Sequence, residues 1–407
     1  MLLLDGAKLA IYGLFLNYYC YYVVKGAFIP HGTILFLAVA FLCILFSVID
    51  QDGGNIYIGK EVICWTIYGV LAFGFSMTLC NMGESSSLYS DIFKYFQRLL
   101  MIQMIAYICE KERSIRFGLR LLVVSALGCA IAIFNTLGSY QLKLDITSGA
   151  NISANDVGAL MAFGIIAVLL YGSNDERPSP VILTVFKSAI VIACGCVIFL
   201  AGSRKSIIAV ILFLLLVILF CGVDFFRNVS MVRFLCLAVI ISIAIFFVYK
   251  QLWQYVEGTN LYTRTLGRGA EAAAASNDSR LDLYILALQE FMQHPLIGLG
   301  FNNFGNIHGN YTHSTYVEPL ACSGLIGLLY LFPYARLFFK QLNIIRAYPP
   351  RTHGRTWQKS VIIFFIAFAF VGVGIPFIYK DIPCILLGMF IASQQIAYDD
   401  LYYNWGV

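Results

Sequence analysis

The 407-residue chain is 60% hydrophobic and 12% charged, against about 45–50% and about 25% in soluble domains, which excludes a soluble globular protein. Its formal net charge of +5 is small and spread along the chain, giving no reason to expect nucleic acid as a partner. The cysteines (Cys20, Cys43, Cys64, Cys129 and Cys236 among them) mostly stand singly in apolar runs and read as small buried hydrophobes rather than a disulfide framework.

The first stretch, "MLLLDGAKLAIYGLFLNYYCYYVVKG", has no basic leader or small-residue cleavage pattern and reads as a span rather than a removable signal. Apolar windows near the ~20-residue spanning length follow at about 9 to 24, 32 to 49, 61 to 80, 91 to 109, 117 to 138, 155 to 171, 181 to 201, 206 to 223, 231 to 249, 314 to 339, 360 to 378 and 382 to 398. The expected fold is an all-α polytopic integral membrane protein, a single membrane domain over residues 1–407 with about 12 transmembrane helices. Between the windows lie the basic turn "CEKERSIRFGLR", the turn "AGSRKS" with Arg204 and Lys205, and "VDFFRNVSMVR". Cys194 and Cys196 form C-x-C, but on a helix they point about 200° apart, which disfavours zinc.

Residues 250–312 form the longest polar segment, between the ninth and tenth windows. "GRGAEAAAASNDSR" is polar and Ala-rich; after it Leu281, Tyr284, Ile285 and Leu288, continued by Phe291 and Met292, repeat as one helix face. The spacing predicts an amphipathic helix on the membrane surface, with Ser279 and Asp282 as a capping-box pair. Arg280 then falls in the first turn, where backbone N–H groups attract anions and a guanidinium adds planar donors suited to phosphate. "HPLIGLGFNNFGN" implies tight turns. His294, His308 and His313 lie close together, but no Asp, Glu or Cys completes a zinc-like set. His313 stands where the tenth window begins, and its imidazole can accept a proton near neutral pH. Aromatics of the segment (Trp253, Tyr255, Tyr262, Phe301, Phe304 and Tyr311) suit either sugar stacking or an interfacial belt. Tyr311, Tyr316 and Glu318 are candidate substrate-binding residues, together with Lys205.

The connector "KQLNIIRAYPPRTHGRTWQK", residues 340–359, holds five cations and no acid, and the positive-inside rule makes it cytoplasmic. Counting back puts residues 250–312 outside, "VDFFRNVSMVR" inside and "AGSRKS" outside; "CEKERSIRFGLR" then lands inside, as its own charge requires. Arg204 and Lys205 thus face outward, against the usual bias. Two explanations fit: cations snorkelling to headgroups, or an anionic ligand such as phosphate on the outer side.

"AGSRKS", then "SR" with "HPLIGLG" and "NNFG", then "HSTYVEPLACSGLIGLLY" together resemble the O-antigen ligase and polymerase family of bacterial surface-glycan assembly, over roughly residues 190–340. The resemblance implies a metal-independent inverting glycosyltransferase without a cofactor, acting at the outer face of the bacterial cytoplasmic membrane on a glycan carried by undecaprenyl diphosphate. It places the family's functional residues on Arg204, Arg280 and His313. Two positions depart from the family pattern: Tyr284 ends an R-x-x-x-L motif, and Ser314 follows the histidine where Asn is frequent. The expected product is a capsular, O-antigen or exopolysaccharide chain built by a polymerase. The alternatives are a ligase moving finished glycan to lipid A core or another acceptor, and a transporter of small anions or glycans. Expected partners are the lipid bilayer and the lipid-linked glycan, with a flippase and a chain-length regulator as further candidates.

Overall fold

The computed structural model describes residues 2–24, 32–51, 58–79, 85–137, 154–173, 181–201, 203–222 and 269–405. Every described regular element is helical. In chain order these are α1 (Leu2–Val24), α2 (Gly32–Gln51), α3 (Lys60–Leu79), α4 (Ser85–Lys111), α5 (Arg116–Leu137), α6 (Ala154–Ser173), α7 (Val181–Ala201), α8 (Arg204–Cys221), α9 (Gly269–Gln293), α10 (Asn303–His308), α11 (Glu318–Ser323), α12 (Gly327–Ala347), α13 (His353–Gly372) and α14 (Ile382–Trp405). Helices stand at each apolar window of the sequence except 231 to 249, which lies outside the described residues, as do Trp253, Tyr255 and Tyr262. Among the described residues, six helices are long and apolar enough to cross a bilayer. Helices of this length and composition, repeated along the chain, are those of a multi-pass membrane protein.

The chain divides into two compact units: residues 1–55, 116–270 and 350–368, and residues 56–115, 271–349 and 369–407. In the first, α6 is apolar on all sides, and Leu160, Met161, Phe163, Ile166 and Leu170 are fully buried, as a helix surrounded by others must be. Phe163 packs against Phe364 and Phe368, and Phe213 of α8 against Phe364. Ile207, Ile208, Ile211, Leu215 and Ile218 leave the outer side of α8 exposed and apolar, the surface expected of a helix facing lipid tails.

The second unit is held by polar and aromatic groups as well as aliphatic packing. The Trp65 indole donates to the Tyr330 carbonyl (2.9 Å), Tyr95 to the Trp65 carbonyl (2.8 Å), and Tyr330 and Tyr334 share a hydrogen bond of 3.0 Å. Without water in the hydrocarbon layer such hydroxyls need protein partners. Ion pairs join distant segments, Arg98 of α4 to Asp381 just before α14 (2.6 Å) and Arg336 of α12 to Glu61 of α3 (2.9 Å). The charges at 98 and 381 are therefore engaged with each other, which uses them structurally rather than along an ion pathway.

Three expectations are corrected. The helix carrying Arg280 begins at Gly269, not at Ser279, because the Ala-rich run preceding it has the strongest helix propensity of any residue type. Arg280 accordingly sits in mid-helix and has no first-turn N–H groups beside it. The tenth span does not start at 314 and run unbroken: it is α11, a 3₁₀ turn (Gly324–Ile326) and α12, which reaches Ala347. The basic connector 340–359 is correspondingly mostly helical, with only Tyr348–Thr352 between α12 and α13.

The break in the tenth span has a visible cause. Gly298 and Gly324 both have positive φ (65° and 57°), and an added Cβ on either would come within 2.7 Å of the other's backbone segment. Leu299 and Gly300 donate to the carbonyls of Ala321 and Cys322 (3.1 and 2.8 Å), and Leu325 donates to that of Pro295 (2.8 Å). "HPLIGLG" and "ACSGLIG" are thus two halves of one backbone clasp, which only glycine permits at these φ values. Beneath it Ala287, Phe304, Ala321 and Cys322 form a small core with Leu283 and Leu286. This sets the roll of α9: residues 283, 286 and 287 face the protein, while of the predicted stripe Leu281, Ile285, Leu288 and Met292 are exposed and Tyr284 and Phe291 half-buried.

Candidate functional site

In the first unit, Arg204 opens α8, directly after the N-cap Ser203. An added Cβ on Gly158 of α6 would lie 2.4 Å from the Ser203 Cβ and 2.7 Å from the Ser206 Oγ, so α6 packs close against this turn and buries both serines. Their hydroxyls bond each other at 2.7 Å, and the Ser203 carbonyl accepts from the N–H groups of Ser206 and Ile207 (3.2 and 3.4 Å). Arg204 is exposed and Lys205 half-buried. Two cations at a helix N-terminus stand against the macrodipole, at the end whose backbone N–H groups attract anions.

The second unit carries Arg280, Tyr311, His313, Tyr316 and Glu318, arranged around residues 311–318. His313 has φ 58°, a left-handed conformation uncommon for a residue with a side chain. Its neighbours hold it there. Glu318 is fully buried, and its Oε2 accepts from both the N–H and the hydroxyl of Thr312 (2.7 Å each). Its Oε1 accepts from the Tyr379 hydroxyl (3.2 Å) and lies 3.7 Å from the Cys322 Sγ. On the other side, Thr315 donates its N–H to the Gly372 carbonyl (2.8 Å) and its hydroxyl to that of Ile375 (2.5 Å), and accepts from the Phe377 N–H (3.0 Å). The Ser314 hydroxyl accepts from the N–H groups of Tyr316 and Val317 (3.2 and 3.4 Å). The loop is thereby fixed to the start of α11 and to the segment joining α13 to α14, and His313 is half-buried.

Arg280 enters through Tyr284, one turn further along α9. The Tyr284 hydroxyl donates to the Val373 carbonyl (2.7 Å) and lies near Ser314. Burial pushes the Tyr284 phenol above its ordinary pKa, while the nearby Arg280 guanidinium pulls the other way. The two departures from the family pattern, Tyr284 and Ser314, are therefore neighbours. The Tyr316 hydroxyl donates to the Ala369 carbonyl (2.7 Å), and burial pushes its phenol up to about 12. Both oxygens of Glu318 are taken by protein donors, an arrangement that positions the loop.

Tyr311 lies against the His313 ring, with centroids 4.3 Å apart, and the Lys380 ammonium lies 5.8 Å from the Tyr311 centroid. Thr312, Tyr379 and Lys380 were not singled out by the sequence. For Lys380 a signal was present, because the alternation of spans expected from the sequence, which would turn Arg204 outward, would also turn the short segment before α14 outward. His308 bonds Glu290 at 3.0 Å and belongs to the α9–α10 packing. Among the described residues no three His, Cys, Asp or Glu side chains gather as a metal-binding set.

Residues 189–332 match the O-antigen ligase family, which supports the resemblance drawn from the sequence motifs. The matched stretch includes Arg204, Lys205, Arg280, Tyr311, His313, Tyr316 and Glu318 and ends before Lys380. No curated protein matches the chain.

Proposed function

We propose that this protein is a glycosyltransferase that polymerises oligosaccharide repeat units, each carried on undecaprenyl diphosphate, into a surface polysaccharide at the outer face of the bacterial cytoplasmic membrane. The observation that carries the reading is the clamped loop holding His313 at a positive φ beside the Tyr284–Arg280 turn, inside a region similar to O-antigen ligases. Strain of this kind persists only where surrounding bonds over-determine it, and such places concentrate at functional sites.

The chemistry follows from the groups. An acceptor sugar hydroxyl attacks the anomeric carbon of the donor; the bond to the diphosphate oxygen breaks, and the polyprenyl diphosphate leaves with the bonding pair. His313 accepts the hydroxyl proton as it becomes acidic. Arg280 stabilises the charge building on the leaving group, which is most effective where water is excluded and the cation is already in place; on the family resemblance alone, Arg204 is assigned the same task. A guanidinium suits this task because its donors pair two phosphate oxygens at once. Lys205 adds a further point charge, and Tyr311 and Tyr316 line the approach to His313. Glu318 keeps the loop in its working shape. The exposed stripe Leu281, Ile285, Leu288 and Met292 suits α9 to lie in the headgroup layer, where a lipid-borne donor arrives.

The description of the matched family favours a second reading, ligation of a finished glycan to a separate acceptor. Purified protein supplied with lipid-linked single repeats separates the two. A ladder of lengths is the expected result. One transfer, seen only when an acceptor is added, would establish the ligase, and no transfer in either case would overturn both.

A further inference from the structure

The segment joining α13 to α14 is built onto the same clamps that hold His313. Its 3₁₀ turn (Phe377–Tyr379) hangs from Thr315 through the Phe377 N–H (3.0 Å) and from Glu318 through the Tyr379 hydroxyl (3.2 Å). Lys380 closes the turn by donating its N–H to the Phe377 carbonyl (3.1 Å). Its side chain is half-buried and its ammonium stands over Tyr311, whose ring in turn lies against His313. The adjacent carboxylate of Asp381 is committed to Arg98 at 2.6 Å.

We propose that Lys380 is a further cation of the donor site, binding an anionic oxygen of the lipid diphosphate beside His313, with Tyr311 as the platform that holds the ammonium in place. The inference rests on the function proposed above. Three features argue for it over a surface lysine. The turn is pinned by side chains that also fix His313, so the ammonium and the imidazole are positioned by one structure. A cation on an aromatic face keeps its charge while its long stem is restrained, so little freedom is lost when a phosphate arrives. An ammonium is a compact point charge, able to follow a phosphate oxygen as the leaving group withdraws, where the planar fork of arginine fixes one geometry. On this account Arg280 and Lys380 reach the loop from different segments of the same unit.

The test uses the full-length protein in detergent micelles and farnesyl diphosphate as the probe. Wild type, K380M, K380R and R280A are compared by equilibrium binding, with inorganic pyrophosphate as competitor. K380M keeps an unbranched stem on Tyr311 and removes only the charge. The expected result is that K380M weakens binding about tenfold or more, the loss of one charge-assisted bond. K380R should stay within about threefold of wild type because the charge is retained, and pyrophosphate should compete weakly, as a ligand lacking the lipid must. Unchanged affinity in K380M with weakened binding in R280A would overturn the role of Lys380 and leave the proposed function standing. Failure of the wild type to bind farnesyl diphosphate would overturn both. Pyrophosphate binding as tight as that of the lipid probe would overturn the assignment to a lipid-borne ligand.

Discussion

The turn at Ser203–Ser206 in the first unit and the loop at Tyr311–Glu318 in the second present the side chains proposed as functional in opposite ways. Arg204 needs only a helix start: the serines before and after it are buried, but the guanidinium itself is exposed. His313 needs a conformation that its backbone resists, and Glu318, Ser314 and Thr315 together enforce it. The difference fits the tasks proposed for them. A long-range charge tolerates some freedom, since attraction falls slowly with distance. A proton acceptor must stand within hydrogen-bond reach of one oxygen.

The largest effects should come from removing the proposed reacting groups at either place. R204A and H313A should each lower chain growth from lipid-linked repeats by about a hundredfold or more, while the R204A protein melts close to wild type because the side chain is exposed. A full ladder from R204A would remove the first turn from the reaction. E318A should cost both activity and stability, because it strands the buried N–H and hydroxyl of Thr312 at about 1–3 kcal/mol per group. E318Q, which keeps one acceptor oxygen, should fall between. An E318A protein that melts like R204A would mean that the clamp does not bear on the loop.

Smaller effects sharpen the contrast. H313G should be as inactive as H313A but more stable by about 1 kcal/mol, since glycine accepts a positive φ without strain; equal melting temperatures would deny that the loop is strained. The weakest signal concerns Tyr316. Its phenol is held up to about 12 in the folded protein and ionises near about 10 when unfolded, so the folded state gains from the neutral form below pH 10. That contribution is lost as pH rises from about 10 through about 12. Wild type should therefore melt progressively earlier across this window, and Y316F should show a flatter profile. Identical profiles would mean that Tyr316 is not shielded from solvent.

The helices were legible because lipid imposes a single local rule, a run of apolar residues: the windows coincide with α2, α3 and α5 to α8 to within two residues at each end, while α1, α4 and α12 to α14 depart from theirs by six residues or more at one end at least. The loop was legible only in part. Arg280 and His313 were visible as charged or basic groups in a segment reading as extramembrane, but their supports were not. Thr312, Thr315 and Tyr379 look like ordinary polar residues, and their role depends on hydrogen bonds to groups as much as 62 residues away, such as Thr315 to Phe377. The outward stripe of α9 was legible in the same way, but its protein-facing side was not. Periodicity finds the more apolar face of a helix, yet here the less apolar one, with Ala287, meets the protein at the clasp of Gly298 and Gly324, and the oilier stripe is left outward. Pattern alone does not tell protein from lipid as the partner of a greasy surface.

Sidedness decides whether those exposed cations can meet a donor delivered outside the cell. Intact cells carrying R204C or R351C, treated with a membrane-impermeant maleimide and compared with wild type as the background, test it directly. Labelling of R204C alone, with R351C reached only after the membrane is opened, is the result expected. Labelling of R351C in intact cells, with R204C protected until they are opened, would contradict it.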